Sequence, residues 1–308
     1  MLIGKVKRRS TFNKHMNRKI FFYPVLILMM AGCGGDDLSQ VTNAERVPVQ
    51  VHLSGFTVTH EDISKTRAAQ SVADYSGVKI LYLLFFDATT GTEVCRYVQD
   101  KNEPTSYTNF GEFACQLPLG SYTLVAIGRG SSSGDEFAIV SPTEAGYNSE
   151  RARETLTYTQ QVVIDKPTPV NLDVELKRIV ARVQVVATDN AVANFAKVRT
   201  TYSAGGKQFN PTTGQALSNT GFSVVNTPKN PEETVDVASY VFLQTDEQTM
   251  DITIEMLDAN NQVLFKKVAR DIELKRNRTT KLTGALFSDE AVMRVKVEDW
   301  LEKNEVQI

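Results

Sequence analysis

Three cysteines, three histidines and one glycine-framed serine run are the residues whose types invite chemistry in this 308-residue chain. Gly130-Ser131-Ser132-Ser133-Gly134 fits the Gly-x-Ser-x-Gly pattern of a hydrolase nucleophile elbow. Such a serine sits on a strand-turn-helix and takes its histidine from later in the chain, but the last histidine here is His60. The serine run therefore reads as a loop. His52 and His60 have no cysteine nearby, so no zinc-type ligand spacing exists. Gly128-Arg129-Gly130 stops short of a dinucleotide fingerprint. No catalytic residue, metal site or cofactor motif is read from the sequence, and the protein is expected not to be an enzyme. The cysteines remain.

Cys33 closes the apolar run Pro24-Val25-Leu26-Ile27-Leu28-Met29-Met30-Ala31-Gly32. Lys5, Lys7, Arg8, Arg9, Lys14, Arg18 and Lys19 precede that run, and no acidic residue does. A basic stretch, a short apolar stretch and a small residue before cysteine form the layout of a processed export signal. With cysteine at the junction it resembles a bacterial lipoprotein signal, in which that cysteine is acylated. The competing reading is a transmembrane helix. The apolar stretch from Ile20 to Gly32 has 13 residues, whereas a span needs about 20. Residues 1–33 are thus expected to be a lipoprotein signal with Cys33 as the lipidation site. Residues 34–46, polar and glycine-led, read as a flexible tether.

Removing residues 1–33 leaves 27 basic against 36 acidic residues, a net charge of −9. That balance argues against a nucleic-acid partner, which would call for a basic patch. The remaining 275 residues suffice for two domains that each bury a core. Cys95 and Cys115 stand on neighbouring candidate strands. In an oxidising compartment they are a candidate disulfide; the alternative is two separate buried thiols.

The elements that must position these residues are strands. Val47–Leu53 alternates apolar and polar, as a half-buried strand does, and Pro48 near its start suits a strand edge. Val78–Asp87 is a nearly continuous apolar run, as a central strand is. Glu93–Val98, Glu112–Leu117 and Ser121–Ile127 follow across turn residues, then Thr155–Ile164 and Pro169–Glu175. Residues 128–154 are expected to form a long loop with one helical turn at most. In the second half Leu176–Val186 reads as one strand and Asp189–Ala196 as a short helix. Val235–Leu243, Met250–Met256 with strict period two, Val263–Phe265, Asp271–Leu274, Thr280–Phe287 and Val292–Val297 read as strands. Short strands with almost no helical periodicity point to an all-β chain of sandwich type. The domains are placed at residues 47–170 and 171–308. Trp300 is expected to plug a core.

Four stretches together resemble the fimbrillin-type lipoproteins of Bacteroidales, in particular the minor-fimbrium anchoring subunits. They are Val47–Thr59 with Thr66-Arg67-Ala68; Leu84-Phe85-Phe86-Asp87; Leu117-Pro118-Leu119-Gly120-Ser121-Tyr122; and Leu274–Phe287 followed by Val295-Lys296-Val297-Glu298-Asp299-Trp300. The resemblance implies two transthyretin-like β-sandwich domains in tandem. It implies a lipid-anchored fimbrial subunit, anchor or accessory, at the outer membrane and exposed on the cell surface. Its partners would be other fimbrial subunits joined by β-strand addition, the membrane reached through the lipid, and a host or bacterial surface ligand. In the family's stalk subunits an arginine-specific protease removes the first strand; here Arg46 and Arg67 flank it, and both also read as ordinary exposed arginines. The alternatives are a protease-processed stalk or tip subunit, and a surface lipoprotein that binds glycan or host matrix. For the glycan reading, the stretch 128–154 with Tyr147 is the first place to look.

Overall fold

The computed structural model describes residues 45–56, 71–104, 107–131, 135–229, 235–288 and 293–299. These form eighteen strands, and no α-helix occurs among the described residues. The chain is all-β and built as tandem sandwiches.

The seven strands of the first sheet are β1 (Arg46–Phe56), β2 (Ile80–Asp87), β3 (Glu93–Asp100), β4 (Glu112–Pro118), β5 (Gly120–Arg129), β8 (Thr155–Ile164) and β9 (Val170–Arg178). They lie in one sheet in the order β3-β2-β5-β8-β9-β1-β4. All of its neighbours are antiparallel except β1 with β9. Val49, Val51, Leu83, Phe85, Leu117, Leu124, Leu156, Val174 and Leu176 meet in a single core. For strands from both ends of one sheet to share a core, the sheet must curl upon itself. The continuous apolar run of β2 follows from this position. Leu81, Leu83 and Phe85 face the first core, while Leu84 and Phe86 face a second cluster behind the sheet. A strand covered on both faces has no polar side to alternate with.

The second sandwich places β14 (Asp236–Phe242), β10 (Val180–Ala187), β17 (Arg278–Gly284) and β18 (Met293–Asp299) in one sheet. Facing it are β13 (Phe222–Asn226), β11 (Lys197–Tyr202), β15 (Glu247–Leu257) and β16 (Val263–Lys275). Met250, Ile252, Ile254 and Met256 of β15 all point into the shared core, as their period-two spacing requires.

Between the two lies a short sheet of β12 (Gln208–Phe209), β7 (Glu144–Tyr147) and β6 (Phe137–Ser141). The expected loop 128–154 is therefore corrected: part of it is a hairpin that takes a third strand from the second half. The expected single strand Leu176–Val186 is two strands, which belong to different sheets. Strand β9 lies within the first sheet although it starts at the boundary drawn from sequence. The segment Asp189–Ala196 holds a turn, with Phe195 N–H donating to Val192 O, and no helix. Asp189 is committed elsewhere: its carboxylate accepts from the backbone N–H groups of Leu286 and Phe287.

Candidate functional site

Strand β1 is built by strict alternation. Val47, Val49, Val51 and Leu53 are 0–2% exposed, whereas Arg46, Pro48, Gln50 and His52 face out. It pairs antiparallel with β4 from Arg46–Pro118 to His52–Glu112, and parallel with β9 from Val49 onward. Pro48 is thus one residue ahead of the β9 ladder, where its missing N–H costs little. Strand β1 is an inner strand, seated between β9 and β4. Arg46 stands exposed at its entrance, and His52 pairs with Glu112 across the outer face. Among the described residues, strand β4 has no strand neighbour other than β1.

The far side of β4 meets β3, the other end of the same sheet, through side chains. The buried Gln99 amide donates to Glu112 O at 2.7 Å and accepts from Gly111 N–H at 2.8 Å. On the same face of β3, Cys95 packs against the first core, where Cys115 of β4 is buried. Both are free thiols; counting from Gln99, whose bonds set Gly111 and Glu112 opposite it, Cys95 comes level with Cys115 along the antiparallel seam. The neighbouring Cys115 holds the Cys95 thiol below its ordinary range, while Cys95 and burial push Cys115 up. A cavity of about 590 Å³ opens along this seam, lined by Gln50, Tyr97, Gln99, Tyr107, Asn109 and Glu112.

The end of β9 carries a feature that sequence reading missed. Arg178 is sealed from solvent and donates to Glu154 Oε1 at 2.7 Å, Tyr75 Oη at 3.1 Å and Asn277 Oδ1 at 2.8 Å. Tyr75 donates to Glu154 at 2.6 Å, and the rings of Phe56 and Tyr75 cover the guanidinium. Burial, then the Glu154 charge, drives the Tyr75 phenol well above its usual range. The sequence signal was present but opaque: Lys275-Arg276-Asn277-Arg278, inside the segment most suggestive of the family, is the β16–β17 turn. Asn277 holds φ at 58°, and its N–H donates to Val180 O at 2.9 Å. The segment therefore joins the two sandwiches. A second cavity of about 750 Å³ lies beside it, lined by Tyr158, Lys177, Thr213, Asp246 and Arg276 among others.

Tyr147 is 1% exposed, and its hydroxyl shares a hydrogen bond with Thr155 Oγ1 at 3.0 Å. It offers no surface to a sugar, which corrects that expectation. Cys33, Arg67, His60, Trp300 and part of the Gly130–Gly134 run lie outside the described residues. Among the described residues no group of His, Cys, Asp and Glu could hold a metal ion. No helix among them is long and apolar enough to cross a membrane.

The family model described as a family of unknown function (DUF6562) matches residues 43–307. The chain belongs to this family. No curated protein matches the sequence. Similar solved structures include a candidate polysaccharide-binding protein (DUF1812) of Bacteroides thetaiotaomicron. Its TM-score is 0.52 at 13% identity, over 84% of this chain and 100% of that one. A candidate adhesin of Bacteroides ovatus gives 0.52 at 11% identity, over 84% and 97%. The fimbrial anchor protein Mfa2 of Porphyromonas gingivalis gives 0.48 at 12% identity, over 83% and 98%. At such identities the two Bacteroides structures show a shared fold.

Proposed function

We propose that this chain is a lipid-anchored subunit of a surface fibre, an anchor or accessory component held to the outer membrane through Cys33. It joins its neighbour by β-strand addition and supports adhesion. The observation that carries the reading is β1. The first strand after the lipoprotein-like segment is an inner strand, with Val47, Val49, Val51 and Leu53 filling a slot between β9 and β4. A slot of this kind is what an incoming strand would fill, with main-chain bonds for affinity and alternate side chains for specificity. The fold shared with a candidate Bacteroides adhesin supports the reading. The division into a signal (1–33), a tether (34–46) and two sandwich domains is part of it, with the seam between the sandwiches placed at Ile179.

The test is mass spectrometry of the protein isolated from its own membrane. An acylated Cys33 on an intact chain supports the anchor. A lipid-free chain starting at Val47 or Ala68 overturns it in favour of a protease-processed stalk or tip subunit. A second reading, glycan capture, rests on the seam cavity and its two tyrosines, Tyr97 and Tyr107. Binding on a glycan array that is lost in a Tyr97→Ala/Tyr107→Ala variant of unchanged Tm would favour it.

A further inference from the structure

Strands β3 and β4 end the same sheet at opposite edges, yet no backbone ladder joins them. What bridges the seam is the Gln99 amide, whose bonds to Gly111 and Glu112 set β3 antiparallel across from β4 and bring Cys95 level with Cys115. Cys115 projects inward between Phe113 and Leu117, directly across from Val49 of β1. Cys95 projects from β3 on the face that carries Gln99 and packs against the same core. Among the described residues neither thiol belongs to a group that could hold a metal.

We propose that Cys95 and Cys115 are an oxidative modification site, at which a disulfide covalently joins the two ends of the seven-stranded sheet. The inference rests on the export reading above, because the bond needs an oxidising compartment. Its consequence concerns β4. Without the bond, β4 depends on β1 for its only backbone ladder among the described residues. With the bond, β4 stays fixed to β3 whether β1 is present or replaced, so the slot keeps both walls.

The chemistry closes with a protein or glutathione disulfide as oxidant. Cys95, the more exposed of the two and the one whose thiol is held below its ordinary range, attacks as thiolate. One oxidant thiol leaves and a mixed disulfide forms. Cys115 then loses its proton and displaces the second oxidant thiol. Two electrons and two protons pass from the pair to the oxidant, whose disulfide becomes two thiols.

The test uses the full chain, isolated from its own membrane under thiol-blocking conditions. Expected are an intact mass lower by two hydrogens than the reduced form and a proteolytic fragment cross-linked through Cys95 and Cys115. Reduction should lower Tm by roughly 5–15 °C. Cys95→Ser and Cys115→Ser should each abolish both effects. In parallel, the reduced protein is exposed to oxidised glutathione. If both thiols remain open to alkylation there, the geometry is wrong and the proposal is overturned. If the bond forms with glutathione but is absent from native molecules whose Cys33 is acylated, the proposal is likewise overturned, while the export reading stands.

Discussion

Arg178 holds a charge with its side chain 0% exposed, which is tolerable because three polar groups and two rings surround it. Removing one member of such a cluster leaves its partner's charge buried and unpaired. Arg178→Ala should therefore cost about 3–5 kcal/mol in urea unfolding. A double change, Arg178→Met with Glu154→Leu, should recover part of that loss. Equal losses in both variants would mean that packing rather than charge dominates. Lys101 gives a test in pH. Its ammonium donates to Val72 O at 3.1 Å and Tyr75 O at 2.8 Å and lies over the Phe110 ring. Burial, followed by repulsion from Lys79, lowers its pKa from 10.5 to about 8. Between those values the unfolded chain binds more protons than the folded one, so stability rises with pH there. Above the ordinary tyrosine value of 10.0 the buried Tyr75 works in the opposite direction. The expected outcome, in a Cys95→Ser/Cys115→Ser background, is a urea midpoint that climbs from pH 8 to pH 10. That climb should be absent in Lys101→Met.

At the scale of the element, β1 is both the first described strand along the chain and an inner member of its sheet. Each of Val47, Val49, Val51, Leu53 and Phe56 is buried, which contributes about 1.5–3 kcal/mol per side chain as an upper bound. Val51→Asp places an unpaired carboxylate in the core and should cost more than about 3 kcal/mol, whereas Gln50→Ser on the outer face should stay within about 0.5 kcal/mol. Thermal melts of the two variants check both. A peptide with the sequence Arg46–Phe56 should bind a chain from which an arginine-specific protease has removed the first strand. The same peptide carrying Asp at the Val49 and Val51 positions should not bind. Fluorescence anisotropy would register the difference, and equal binding of the two peptides would remove β1 as the specificity element. The oxidised chain should accept the peptide better than the reduced one, since its β4 wall is held in place.

For the molecule as a whole, the apolar cluster behind the first sheet decides how independent the sandwiches are. It combines Leu84, Phe86, Val125 and Ile127 from behind the first sheet with Ile139, Ala145 and Tyr147 of the hairpin. Ile179, Val180, Phe209 and Phe242 from the second half complete it. Phe209 stacks on Phe242 at 4.5 Å. Gly214, with φ at 69°, lets the chain pass close to Ile179, where a Cβ would sit 2.7 Å from Cγ2. With a shared core and the Arg178–Asn277 bond, the halves should unfold together. Calorimetry should show one transition, and Phe209→Ala should lower it as a unit by the equivalent of about 3–5 kcal/mol. Two separate transitions, with only one displaced by the change, would show that the halves fold independently.

The strands with clean alternation, β1 and β15, were legible in the sequence because one covered face leaves a period of two. The apolar run at β2 also read correctly as a central strand, since burial on both faces removes polar positions. The lipoprotein-like layout at Cys33 is a property of local order and needs no fold to be seen. The hairpin in residues 128–154 was not legible. Its glycine and serine content signals a loop, and only the arrival of β12 from the second half gives β7 a further ladder and buries Tyr147. Sequence likewise names Cys95 and Cys115 without bringing them together, because their strands lie at opposite ends of a sheet. Curling of that sheet over a common core makes them neighbours, and that is a tertiary event. Spacing along the chain thus determined which residues face inward. Closure of the sheet determined which of those inward residues meet.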